Sequence, residues 1–223
     1  EIEVTDVAED ASDLIKAEEG ARIKSAGNLS LIRDTRNNVC FPTRGSRTTA
    51  GATLAGGVLG GETDLYELRA RTAQSIPVWR EHVLSLRGTV ATVEEYGDTD
   101  FVPIFDRLFL GGSKNLRGFE FRDVGPKDEN GEPIGGQTQA YASIEYTIPV
   151  VEKVRAAVFY DIGMVYEEPF DIDPSNYNSD VGVGIRFDIQ GFPLQCDYAW
   201  RLEADEFNYR SSGRFNFLIG YQR

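Results

Sequence analysis

Five stretches in the second half of this chain exchange apolar for polar side chains residue by residue. That two-residue period constrains the fold more than any other feature. Between Gln137 and Ile148, Ala140, Ala142, Ile144, Tyr146 and Ile148 share one face, while Gln139, Tyr141, Ser143, Glu145 and Thr147 share the other. From Arg155 to Tyr166, Ala156, Val158, Tyr160, Ile162, Met164 and Tyr166 oppose Arg155, Phe159, Asp161 and Gly163. Val181, Val183, Ile185, Phe187 and Ile189 oppose Gly182, Gly184, Arg186 and Asp188. Leu194, Cys196, Tyr198 and Trp200 oppose Gln195, Asp197 and Arg201. Last, Phe215, Phe217, Ile219 and Tyr221 oppose Asn216 and Gly220. A strand turns successive side chains to opposite faces, so each stretch reads as a two-faced β-strand.

Clusters of Gly, Pro, Asn and Asp divide the chain into about ten strands. They fall at residues 2–7, 28–36, 46–55, 65–75, 82–93, 137–148, 154–166, 180–189, 194–202 and 213–221. Residues 9–19 have helix-forming composition, and Gly20 is placed to cap a short helix in an outer loop. Two architectures fit this pattern. A soluble sandwich buries the apolar face and wets the polar one. A transmembrane barrel turns the apolar face to lipid and the polar face to a wet lumen. Three details favour the barrel: strand lengths of about 9–12 residues, aromatics near strand ends (Tyr146, Tyr166, Trp200, Tyr221), and connections that alternate short (190–193) and long (167–179).

The chain carries a net charge of −13, which opposes nucleic-acid binding because phosphate contacts need a basic face. No run of about 18 apolar residues provides a transmembrane helix, but a barrel needs none. The chain opens at Glu1 without a methionine or a visible leader, and it reads as a processed or cut piece of something longer. Cys40 and Cys196 read as two free thiols.

One long segment, 107–136, separates two strands. Within it Gly111-Gly112-Ser113-Lys114-Asn115-Leu116-Arg117-Gly118-Phe119 places an arginine among glycines that permit positive φ and close approach. A guanidinium is a permanently charged planar fork suited to a fixed carboxylate. The loop therefore reads as folding back into a polar lumen and docking there through Arg117; a solvated Arg-Gly turn is the simpler alternative. Gly111-Gly112-Ser113-Lys114 lacks the Gly-Lys-Ser/Thr ending of a phosphate loop. His82 is the only histidine and stands at a strand start, so neither a catalytic triad nor a histidine metal site is expected. The acidic runs Asp128-Glu129 and Glu167-Glu168 read as solvated outer loops. No catalytic residue, metal or cofactor is expected.

Four local patterns, in order, resemble the BamA-like family of outer-membrane β-barrel assembly proteins, also called the bacterial surface antigen barrel. They are Phe41-Pro42-Thr43-Arg44-Gly45-Ser46-Arg47; Gly111-Gly112 with Leu116-Arg117-Gly118-Phe119; Ala142-Ser143-Ile144-Glu145-Tyr146; and Phe159-Tyr160-Asp161-Ile162-Gly163. Leu116 stands where the family usually has valine. The resemblance implies a barrel of about sixteen strands, of which this chain holds the last ten, without the first strands or the POTRA repeats. It implies a latch made by Arg117, Gly118 and Phe119 with Glu145 and Asp161. In a wet lumen, losing one partner would cost the lower end of about 3–5 kcal/mol or less. Exchanging the charges (Arg117→Glu with Glu145→Arg) should then partly restore stability if the two touch.

The resemblance further implies that the last strand, with Phe215, Phe217, Gly220 and Tyr221, forms one side of a lateral seam, where client strands add by β-augmentation without ATP. Gln222-Arg223 replaces the family's usual terminal aromatic. Gly220 would either kink the strand or relieve packing. The implied partners are unfolded outer-membrane proteins, outer-membrane lipid and lipopolysaccharide, and accessory assembly lipoproteins, in a bacterial outer membrane. Rival readings are a TamA-like or two-partner secretion transporter, a barrel anchoring a passenger domain, a passive pore or receptor, and a soluble carbohydrate-binding sandwich.

Overall fold

The computed structural model describes residues 2–5, 16, 18–189, 192–205, 208 and 213–220. A small sheet pairs β1 (Ile2–Val4) with β2 (Gly20–Arg22). Nine antiparallel strands form the main sheet: β3 (Ala26–Asp34), β4 (Gly45–Ala55), β5 (Leu65–Pro77), β6 (Val83–Glu95), β7 (Thr138–Val151), β8 (Val154–Tyr166), β9 (Asn178–Ile189), β10 (Phe192–Glu203) and β11 (Arg214–Ile219). Each strand pairs with its sequence neighbour, in the order β3 to β11. Strands β5 to β8 hold 13 or 14 residues. At ~3.3 Å per residue, such strands cross a hydrocarbon layer of ~30 Å even when tilted.

Ile2–Val4 lies outside the main sheet and pairs with Gly20–Arg22, a strand that sequence patterning did not reveal. Its short register carries no alternation long enough to mark it. Gly20 opens β2 at φ 121°, and Lys16 is helical. Most of the helix expected at 9–19 lies outside the described residues, as does Tyr221.

The polarity of the two faces is inverted relative to a soluble sandwich. Leu29, Leu68, Ile144, Val158, Val183 and Phe217 are exposed, while Ser143, Glu145, Asp161, Asp180, Arg186 and Asp197 are buried. A water-soluble sheet would not expose this band and bury its charges. The buried face is covered by the segment between β6 and β7. That segment forms two apolar anchors on the sheet. Val102 and Leu108 pack with Ala55, Leu65, Ala91 and Val93. Leu110, Leu116, Phe119 and Val124 pack with Tyr141 and Val165.

From β5 onward, connections 78–82, 152–153 and 190–191 are short, and 96–137, 167–177 and 204–213 are long; the earlier connections 35–44 and 56–64 are of similar length and do not follow the expected alternation. At the 78–82 turn, Trp79, His82 and Tyr146 cluster, and His82 Nδ1 lies 2.8 Å from the Tyr146 hydroxyl. Trp79 is exposed, as an aromatic at a membrane–water interface is.

Candidate functional site

The loop holds its own shape before it meets the sheet. Gly111 has φ 107°, and a Cβ there would lie 2.1 Å from the Glu120 carbonyl oxygen, so only glycine permits this crossing. The Gly111 N–H donates to Asn115 Oδ1 at 2.8 Å, and the Gly112 N–H donates to the Leu116 carbonyl at 3.0 Å. These bonds close a tight coil, from which Arg117 projects onto the inner face.

Arg117 is 1% exposed. Its Nε donates to Asp161 Oδ2 at 2.7 Å and its Nη2 to Asp161 Oδ1 at 2.9 Å, a bidentate pair. Its Nη1 donates to Glu145 Oε2 at 2.7 Å and reaches Asp197 Oδ2 at 3.4 Å. The guanidinium carbon lies 3.3 Å from the Phe159 ring centroid, so stacking holds the cation while its edges meet carboxylates. The backbone is held as well. Asn216 Nδ2 donates to the Arg117 carbonyl at 2.6 Å, the Gly118 N–H donates to Asp180 Oδ2 at 2.8 Å, and Arg201 Nε donates to the Gly118 carbonyl at 2.8 Å. A Cβ on Gly118 would sit 2.7 Å from the Asp180 Cβ, so the close approach requires glycine. Phe119 is fully buried beneath the Arg201 guanidinium, 4.6 Å from its ring centroid.

The structure thus brings Arg117, Gly118, Phe119, Glu145 and Asp161 together. It also adds residues that the sequence reading placed on polar faces without giving them a role. Arg186 donates to both Glu145 oxygens, at 3.1 and 2.6 Å, and to Asp197 Oδ1 at 2.5 Å. Glu145 is therefore shared by Arg117 and Arg186, with Arg87 3.8 Å away, and Asp197 lies between the first two. Asp161 and Asp180 are direct cross-strand partners, both fully buried. One loop coil is tied to β7, β8, β9, β10 and β11. The expected wet setting is not what surrounds Arg117; the coil's own apolar anchor excludes water there.

On the last strand, Phe215 and Phe217 face outward and are exposed, while Asn216 between them is buried against the loop. Gly220 follows the strand at φ 114°, and among the described residues nothing lies within 4 Å of where its Cβ would be. Conformation, not packing relief, explains the glycine. The strands β3 and β11 do not pair with each other, so each has one unpaired edge among the described residues.

A charged inner face, an apolar outer band and an arginine loop pinned inside define a transmembrane β-barrel domain of the outer-membrane type. The Omp85 superfamily domain matches residues 2–222, and the chain belongs to that superfamily, a family of outer-membrane barrels. It is 30% identical over 222 residues to the outer membrane protein assembly factor BamA of Nitratidesulfovibrio vulgaris, covering 98% of this chain and 28% of the relative. A SAM50-like protein of Schizosaccharomyces pombe is 30% identical over 66% of this chain and 31% of its own length. Among solved structures, BamA from Haemophilus ducreyi lacking POTRA domains 1–3 superposes with a TM-score of 0.74 at 23% identity, covering 86% of this chain and 41% of that one. The chain therefore spans less than half the length of these relatives. The Omp85 assembly factors are not enzymes.

Proposed function

We propose that this chain is the C-terminal barrel part of a bacterial outer-membrane assembly factor that inserts and folds β-barrel proteins without ATP. The observation that carries the reading is the weakness of the terminal strand. Among the described residues, strand β11 pairs over six residues, against ten or more for the other pairings in the main sheet except β3 with β4, which spans nine. Its outer edge offers backbone groups to an incoming strand, and lipid cannot satisfy them. A client strand adding there is β-augmentation, driven by the client's own folding and burial. The Arg117 coil is the latch: through Asn216 it holds β11 from inside, so loop docking and seam geometry are coupled. The relatives named as assembly factors support the same reading. The working protein would comprise further barrel strands and POTRA repeats, and its partners would be unfolded outer-membrane proteins, outer-membrane lipid and lipopolysaccharide, and accessory lipoproteins.

The test uses the full-length protein in vesicles with a urea-denatured client barrel. An engineered disulfide joining β11 to the strand that faces it across the seam should block client insertion, and reductant should restore it. Equal insertion by locked and reduced protein would exclude the seam, and would leave a transporter or passive pore as the reading.

A further inference from the structure

The two halves of the inner face treat charge differently. Around Arg117 and Arg186, carboxylates from three strands match the cations. On the side formed by β3 to β6 cations outnumber the acids that pair with them. A cleft of ≈ 750 Å³ lies there between the sheet and the loop. Eight of its lining residues are arginine or lysine and one, Glu67, is acidic. The chain as a whole carries a net charge of −13, so this concentration is local and against the trend.

The strand register builds the cleft. Arg47, Ala73 and Arg87 are successive cross-strand partners on β4, β5 and β6. Arg71 and Arg69 follow on the same face of β5. Arg71 is flanked by Thr49 and Thr89, and Arg69 by Gly51 and Ala91. Small residues thus form a floor, and arginines stand around it at diagonal spacings of about 7–8 Å. From above, the loop adds Lys114 and Arg122. Glu67 pairs with Arg69, Asp34 pairs with Arg36 at 2.6 Å and lies 3.9 Å from Arg47, and Arg87 lies 3.8 Å from Glu145. Among the described residues no hydrogen bond or ion pair holds Arg71, and the buried Nε of Arg47 has no acceptor. Arginines clustered on one wall of a cleft raise its positive potential and favour an anion there.

We propose that this cleft binds a phosphoryl-bearing anion, presented either as a free phosphate or as a phosphorylated lipid headgroup. Guanidinium forks match phosphate oxygens in pairs. The volume falls in the range of small-molecule sites, about 300–1,000 Å³, which suits a compact polyanion better than an extended acidic polypeptide. The cleft borders the Arg117 coil, which contributes Lys114 to its lining, and its anion binding does not depend on the assembly reading.

The test titrates the full-length protein, in uncharged detergent at constant ionic strength, with inorganic pyrophosphate by calorimetry. One saturable site is expected, weakened about tenfold or more in Arg71→Gln and in Arg47→Gln. Arg33→Gln, on the outward face of β3, should bind as the parent does. Heat-modifiable gel migration checks that each variant is folded, and Arg71→Lys should keep part of the binding by keeping the charge. A second arm places the protein in phosphatidylcholine vesicles with or without diphosphorylated lipid A and follows thermal unfolding. An Arg71-dependent stabilisation by lipid A identifies a headgroup as the source; pyrophosphate binding without that shift identifies a soluble phosphate. Absence of both overturns the proposal, as would binding of poly-glutamate where neither phosphate binds.

Discussion

The Arg117 guanidinium carbon lies 3.3 Å from the centroid of the Phe159 ring. This stacking explains how one side chain serves two acids that are not opposite each other. Glu145 is the direct partner of Phe159, and Asp161 is the direct partner of Ser143. The acids therefore sit diagonally, with the ring beside both. Lying flat on the ring, the guanidinium reaches Asp161 with one edge and Glu145 with another.

Arg117→Ala leaves Asp161 buried without its bidentate partner. The expected loss is about 3–5 kcal/mol, the range for breaking a buried pair. Unfolding on unboiled gels should shift to lower temperature. Arg117→Lys should recover little, because an ammonium offers neither the fork nor the flat face.

Asp180 and Asp161 should respond oppositely to amide substitution. Asp180 accepts from the Gly118 N–H and faces a second carboxylate, so Asp180→Asn keeps an acceptor and removes a like charge. Thermal stability should hold or rise. Asp161→Asn halves the bidentate pair and should lower it by about 3 kcal/mol or more. The two midpoints, measured side by side in one detergent, check this.

Gly118→Ala places a methyl 2.7 Å from the Asp180 Cβ. Overpacking of this kind costs about 1–3 kcal/mol. The loop should become more sensitive to protease, while the outward face of the strands stays protected.

The exchange of Arg117→Glu with Glu145→Arg should fail to rescue stability, although the two residues touch at 2.7 Å. A glutamate at 117 would meet Asp161 and Asp197, and an arginine at 145 would meet Arg186. The doubly exchanged protein should unfold no later than Arg117→Ala.

Gly220→Ala forces a side chain to φ 114°. Strain of about 1–3 kcal/mol is expected at such an angle. Amide exchange in β11 should accelerate more than in β8, which lies deeper in the sheet.

Alternation alone determined which residues of β7 to β11 share a face, because the side-chain period of a strand is a local property of the backbone. It therefore put Glu145, Asp161, Arg186 and Asp197 on one side without any tertiary information. The glycines at 111 and 112 marked a tight coil for the same local reason. Partnership was decided elsewhere. Whether Arg117 met Glu145 alone or a network with Arg186 and Asp197 depended on register between strands, which fixes diagonal neighbours at ~7 Å and leaves no mark on either strand's own pattern. The dryness of the site came from Leu110, Leu116, Phe119 and Val124 closing over it, an arrangement of residues distant in sequence from the sheet they cover. The pairing of Ile2–Val4 with Gly20–Arg22 and the arginine cleft on β4 to β6 were likewise set by which segments lie side by side, which no local period encodes.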